Sequence, residues 1–198
     1  MTEKKNRPVK SPVIDTGKED LKASLKIVGW LNETLDAAAK RAGKQVSRDA
    51  ALTLLILHKN DEAQSGKKLL QAYRSWRVSP KSMDVEESLR VALGHLIRID
   101  LVTVGGVGDV AFSKLEPRDL QRIIGKLLEK GLQPIKKIRL TDQASTRIDM
   151  MRETIDQRLE SVRHVLSARN RKVFDQLIKS SLPYPPAKLA NELEESAS

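Results

Sequence analysis

The sequence contains no cysteine. That excludes disulfides, thiolate catalysis, thiol redox sensing and cysteine-type zinc sites. Aromatic residues are scarce, two each of Trp, Tyr and Phe, too few for the stacking platforms that hold single strands or RNA bases. No apolar run approaches the ~18 residues of a membrane span. The opening MTEKKNRPVKSPV is charged and lacks the apolar stretch of a secretory leader. A cytoplasmic protein without a membrane partner is expected. His58, His95 and His164 sit on three separate predicted helices with no metal-ligand spacing, so no metal is expected. The run GGVGD lacks the Lys-Ser/Thr of a phosphate loop and reads as a hairpin turn. Spacing offers no nucleophile–base pair, so neither catalysis nor a cofactor is expected.

What the chain has in excess is positive charge. Its 36 Lys and Arg face 26 Asp and Glu, for a net charge of +10. The surplus is concentrated. Residues 66–81 hold Lys67, Lys68, Arg74, Arg77 and Lys81 and no acid. Residues 114–139 hold Lys114, Arg118, Arg122, Lys126, Lys130, Lys136, Lys137 and Arg139 against Glu116, Asp119 and Glu129. Each segment carries +5, and together they equal the whole net charge. A basic footprint gathered in this way points to nucleic acid.

Apolar periodicity gives the order of elements. Residues 1–19, with Lys4, Lys5, Arg7 and Lys10, read as a flexible basic arm. Leu21, Leu25, Val28, Leu35, Ala39 and Ala42 recur at helical spacing, and Gly43 ends that helix. Ser47 caps a second helix over 48–59, whose AALTLLIL is apolar all round and therefore buried. GKKLLQAYRSW is a short third helix. A fourth starts at Ser79-Pro80 or at the pair Asp84 and Glu87, and runs through ESLRVALGHLIRI. A β-hairpin is expected at 101–104 and 110–113. Glu116-Pro117 opens a fifth helix that Gly131 closes, and IKKIRL is a short strand. Thr141 caps a long helix with Ile148, Met151, Ile155, Leu159, Val162 and Leu166 at three-and-four spacing. Met150 and Met151 read as core and dimer seam. Ser167 caps a last helix, and residues 183–198 read as a disordered tail.

A hairpin directly after two short helices is the outline of a winged helix-turn-helix. Three stretches resemble the MarR family of transcriptional regulators. SLRVALGHLIRIDLVTV resembles its recognition helix running into the first wing strand. KKIRLTDQASTRIDMM resembles the last wing strand and the start of the long dimerisation helix. VLSARNRKVFDQLIKSSL resembles the final helix. The buried SRDAALTLLILHKN fits the helix before the helix-turn-helix. This chain would be an atypical member, with an extra block at about 106–134 inserted in the wing.

The expected fold is therefore mainly α, a winged helix-turn-helix with a small β wing. Residues 20–182 form the domain, with dimerisation helices at 20–43 and 141–182. The expected function is sequence-specific binding of double-stranded DNA by a homodimeric transcriptional regulator, a repressor rather than an activator. The resemblance also implies a pocket for a small-molecule effector, of unknown identity. Candidate DNA contacts are Lys67, Lys68, Arg74 and Arg77 on phosphates, Lys81, Ser82 and Arg90 on bases or phosphates, and Lys136, Lys137 and Arg139 along the wing. Alternate strand residues face opposite sides, so those last three cannot all reach DNA. Glu86 and Glu87 suit the start of the fourth helix but oppose phosphate. The candidate dimer interface comprises Leu25, Val28, Ile155, Leu159, Val162, Phe174 and Leu177.

Two other readings stand beside this one. LKIVGWL followed by two helices fits a ribbon-helix-helix unit of plasmid or phage maintenance. The long helix and the helix at 117–130 fit a protein-interaction adaptor that binds no DNA.

Overall fold

A helix that is apolar on every side must lie at the centre of whatever surrounds it, and α2 (Arg48–Lys59) does so. Every residue from Ala50 to Leu57 is buried. Ser47 caps it, its Oγ accepting from the Ala50 N–H at 3.2 Å. The computed structural model describes residues 16–59, 64–76, 84–105, 112–129 and 137–183; the side chains of 16–28, Ser113, Arg169, Ser180 and Ser181 fall outside that description.

Around α2 are arranged α1 (Thr16–Ala42), β1 (Gln64–Ser65), α3 (Gly66–Trp76), α4 (Val85–Arg98), β2 (Val102–Gly105), a 3-10 turn (Phe112–Lys114), α5 (Pro117–Glu129), β3 (Lys137–Leu140), α6 (Asp142–Val165) and α7 (Ala168–Ser181). The described chain is thus mainly helical with one three-stranded antiparallel sheet of order β1-β3-β2. Helix α1 begins at Thr16, inside the segment expected to be a flexible arm. Its backbone is helical through Leu25–Leu31, so LKIVGWL is not the strand that a ribbon-helix-helix unit requires. The helix ends where Gly43, at φ +144°, takes a conformation that L side chains rarely adopt.

Among the described residues, no pairing joins 101–104 to the segment expected at 110–113. Strand β2 pairs with β3 instead, Val102 opposite Leu140 and Gly105 opposite Lys137. Phe112 stands in the 3-10 turn with its ring buried; residues 110 and 111 lie outside the described residues. The sheet has one apolar face, Val102, Val104 and Ile138, turned to the core. Its other face shows Thr103, Lys137 and Arg139. Two-residue alternation in both strands fixes this register, because a one-residue slip would expose the valines.

Helix α4 starts at Val85, capped by Asp84, whose Oδ1 accepts from the Glu86 N–H at 3.0 Å. The alternative start at Ser79-Pro80 lies outside the described residues. Its C-terminus is held by two backbone bonds, Leu101 N–H to the Leu96 carbonyl at 2.9 Å and Asp100 N–H to the Ile97 carbonyl at 3.2 Å. That is a Schellman closure, with Leu101 packing where the motif wants an apolar residue. Asp100 occupies the left-handed position at φ 57°. A Cβ there costs about 1 kcal/mol or more, part of which glycine would return as chain entropy in the unfolded state. Asp100→Gly is expected to raise the unfolding free energy by about 0.5 kcal/mol, read as a shift of the urea midpoint at unchanged slope. A lower midpoint would show that the aspartate side chain stabilises the turn.

The Thr141 hydroxyl donates to the Asp100 carbonyl at 2.6 Å, and the Thr141 N–H to the Leu101 carbonyl at 3.1 Å. These two bonds tie the end of α4 to the start of α6. Helix α6 buries one stripe, Ala144, Ile148, Met151, Ile155, Leu159 and Arg163, while Met150 is partly exposed. Helix α1 covers α6 through Leu31, Leu35, Ala38 and Ala42. Helix α7 closes the end, with Phe174 edge-on to Trp30 at 5.6 Å between ring centroids.

Candidate nucleic-acid interface

Helix α3 turns Leu69, Leu70 and Tyr73 inward. The Tyr73 hydroxyl donates to Asp49 Oδ1 at 2.6 Å, fixing α3 to the first turn of α2. This leaves Lys67, Lys68, Gln71, Arg74 and Ser75 exposed on the outer face. No acid stands among them. Among the described residues Arg74 has one carboxylate within reach, Glu86 at 3.9 Å, with the arginine side chain largely exposed. An exposed pair of that kind contributes little and yields to a competing anion.

The sheet extends the basic surface. Ser65, immediately before α3, stands opposite Lys137 in the β1–β3 register. Lys137 and Arg139 share the exposed face of β3, with Ile138 buried behind them. Lys67 and Lys68, two and three residues after Ser65, therefore start from the same edge of the sheet as Lys137.

Helix α5 braces this region. It buries Leu120, Ile124, Leu127 and Leu128 and exposes Arg118, Arg122 and Lys126. Its contact with α3 is close: a Cβ on Gly66 would stand 2.7 Å from the Leu127 carbonyl carbon. It also crosses α4. A Cβ on Gly94 would meet the Gln121 amide and stand 3.5 Å from Ile124 Cδ1, and Arg90 lies against Gly125.

Helix α4 consequently has little free surface. Leu89, Ala92, Leu93, Leu96 and Ile97 are buried, and α5 covers a flank. Arg90, expected to contact DNA, is ion-paired with Glu87 and packed on α5, so its guanidinium is engaged within the chain. Its neighbours outward are Val91, 52% exposed, and the carboxylates Glu86 and Glu87.

The other expected site residues divide as follows. Lys67, Lys68 and Arg74 are exposed on α3, and Lys137 and Arg139 on β3, the two elements joined through the pairing of Ser65 with Lys137. Arg77, Lys81, Ser82 and Lys136 lie outside the described residues. Of the expected dimer residues, Ile155, Leu159 and Phe174 are already buried inside one chain. They pack α6 and α7 against α1, so a second copy would have to meet other side chains. Val162 and Leu177 are half-buried, and Leu25 and Val28 have side chains outside the described residues. Val165 and Val173, at 82% and 53% exposure, are open apolar residues near the α6–α7 corner.

A cleft of about 580 Å³ lies where α1 ends, lined by residues that include Lys44, Arg98, Ile99, Leu101, Gln143 and Arg147. Three of its lining residues are basic and none is acidic. Arg147 donates to the Ala42 carbonyl at the end of α1, a position where a cation suits the helix dipole. Among the described residues no three His, Asp or Glu side chains gather as metal ligands. No described helix is long and apolar enough to cross a membrane.

Sequence reasoning missed the covering of α4 by α5. The signal was present in Gly66, Gly94 and Gly125, which permit close approach, but glycine in a helix does not name its neighbour. Compared with family models, with curated proteins and with solved structures, the chain matches none.

Proposed function

We propose that this chain is a sequence-specific double-stranded DNA-binding protein of winged-helix type, acting as a dimeric transcriptional repressor. One observation carries the reading: in the β1-β3-β2 sheet, Lys137 and Arg139 are exposed on β3, which pairs with the strand β1 that leads directly into the basic helix α3. Helix, strand, helix, helix and two paired strands is the order of a winged helix, here with α5 inserted between the paired strands β2 and β3, and the resemblance to MarR-family regulators supports the reading further. In this reading Lys67, Lys68, Lys137 and Arg139 hold phosphates and set register, while base contacts set sequence. A second copy joins at the α6–α7 end, where Val165 and Val173 are open. The basic cleft at the end of α1 takes the small-molecule effector. No catalytic step belongs to this function.

The test is binding to a 30-base-pair duplex followed by anisotropy across a salt series. Wild type is expected to bind at low salt and weaken steeply, with a logarithmic slope of about −0.9 per phosphate neutralised. The variant Lys67→Ala/Lys68→Ala/Lys137→Ala/Arg139→Ala is expected to lose about 0.9 of slope for each contact removed. No binding by wild type at low salt would overturn the reading and favour a protein-interaction adaptor.

A further inference from the structure

We infer that α3, not α4, is the helix that enters the major groove, and that Gln71 and Arg74 are its base-reading residues. The inference rests on the proposed duplex-DNA function and names where its specificity lies.

The two helices differ in what they offer a groove lined by phosphate. Helix α3 shows Lys67, Lys68, Gln71, Arg74 and Ser75, five polar side chains on one outer face. In a helical projection at about 100° per residue they are centred opposite Leu69, Leu70 and Tyr73. Helix α4 leads with Asp84, Glu86 and Glu87, and the middle of its open face is the apolar Val91. Its arginine at position 90 is held by Glu87 and by the contact with α5. Carboxylates at the leading end would approach the phosphates first, and the exposed cation of α4, Arg98, stands in the last turn of the helix, far from them. Burial separates the two further. Helix α5 lies on a flank of α4, whereas it meets α3 through Gly66 at its first residue and leaves the outer face of α3 open.

The chemistry of the α3 face is that of direct readout. A glutamine amide pairs with the N6 and N7 edge of adenine, and an arginine with O6 and N7 of guanine. Gln71 and Arg74 are three residues apart, so they stand on adjacent turns about 4.5 Å apart along the axis. That rise is near the step between successive base pairs. Lys67 and Lys68, one turn earlier, sit where a helix N-terminus and its cations approach the backbone. Helix α5 then serves as the brace that fixes the angle of α3, the part that the first helix of an ordinary helix-turn-helix performs.

The experiment starts with selection of preferred sites by the full chain from a pool of randomised 30-base-pair duplexes. Affinities for the selected duplex and a scrambled one are then compared. Gln71→Ala is expected to weaken the selected duplex by roughly tenfold, with less than about twofold change on the scrambled one. Arg74→Ala is expected to weaken the selected duplex at least as much and to relax the preference at a neighbouring base pair. Val91→Asp, which places a negative charge on the open face of α4, is expected to change neither affinity by more than about twofold. All three positions are solvent-facing, and an unchanged thermal midpoint confirms that each variant folds. Wild-type preference retained by both α3 variants would overturn the inference, as would loss of the selected duplex with Val91→Asp. A wild type that binds every duplex equally overturns it too, while leaving duplex binding intact. A wild type that binds no duplex removes the proposed function itself.

Discussion

Replacing Arg163 by alanine is expected to lower the unfolding free energy by about 4 kcal/mol, the largest effect of any single substitution considered. The guanidinium lies between α6 and α7 with its side chain 9% exposed. Its Nη1 stands 3.2 Å from Glu160 Oε1, and its Nε 3.1 Å from Asp175 Oδ1. Asp175 is itself 15% exposed. Alanine would take the Arg163 guanidinium away from a carboxylate that lies largely out of water. Breaking a buried pair from one side costs far more than the pair contributes against an apolar replacement. The double variant Arg163→Met/Asp175→Leu is therefore expected to recover most of the loss. Urea denaturation of Arg163→Met, Asp175→Leu and the double forms the cycle. Near-additive losses would show that the two charges act independently, and a loss under about 1 kcal/mol for Arg163→Ala would place the pair among ordinary surface bridges.

The second large effect is at Gly66, and here two terms oppose. Alanine is the better helix former by up to about 1 kcal/mol in a helix interior, and less at the first residue of α3. Against that stands the close approach of α5. A Cβ on Gly66 would lie 2.7 Å from the Leu127 carbonyl carbon and 3.0 Å from Leu127 Cγ. The first of these is backbone, so no rotamer change relieves it, and α5 must move away from α3. Overpacking of this kind costs roughly 1–3 kcal/mol, more than the propensity gain. Gly66→Ala is expected to destabilise by about 2 kcal/mol net. Amide exchange should rise first along α5, since its docked face loses its seat on α3. A more stable Gly66→Ala protein would mean that the α3–α5 contact is looser than the structure places it. The same variant bears on the proposed duplex binding: under that proposal affinity should fall with α5 displaced, because α3 would lose its brace.

The elements themselves were legible from the residues. Strict apolar content placed α2 at the centre, and Ser47, Asp84 and Ser167 each accept the backbone bond that a capping residue should. Gly43 ends α1, and three-and-four spacing in α6 picks out Ile148, Met151, Ile155 and Leu159 of its buried stripe, while Val162 and Leu166 are half-buried and Ala144 and Arg163 complete the stripe instead. These are local properties: cap chemistry, left-handed backbone and helical period act within one turn. The basic surplus was legible as well, and Lys137 and Arg139 share a face as two-residue alternation requires.

Partnership between distant segments was not legible. The residues 101–104 held strand character, but nothing local chose between a partner ten residues on and one more than thirty residues on. The choice fell to β3, whose alternation matches that of β2, and it left the intervening chain free to build α5. Likewise, an apolar stripe does not say whether it meets its own chain or another. The spacing of Ile155 and Leu159 fits a seam between copies, yet both are buried within the one chain, in which α6 packs on α1. The scarcity that opened the sequence has a parallel outcome. Without cysteine, the described chain holds its corners with Thr141 on Asp100 and Arg163 on Asp175. Composition settled that no disulfide could do this. Only the tertiary structure decided which side chains would, because such bonds depend on segments brought together from far apart.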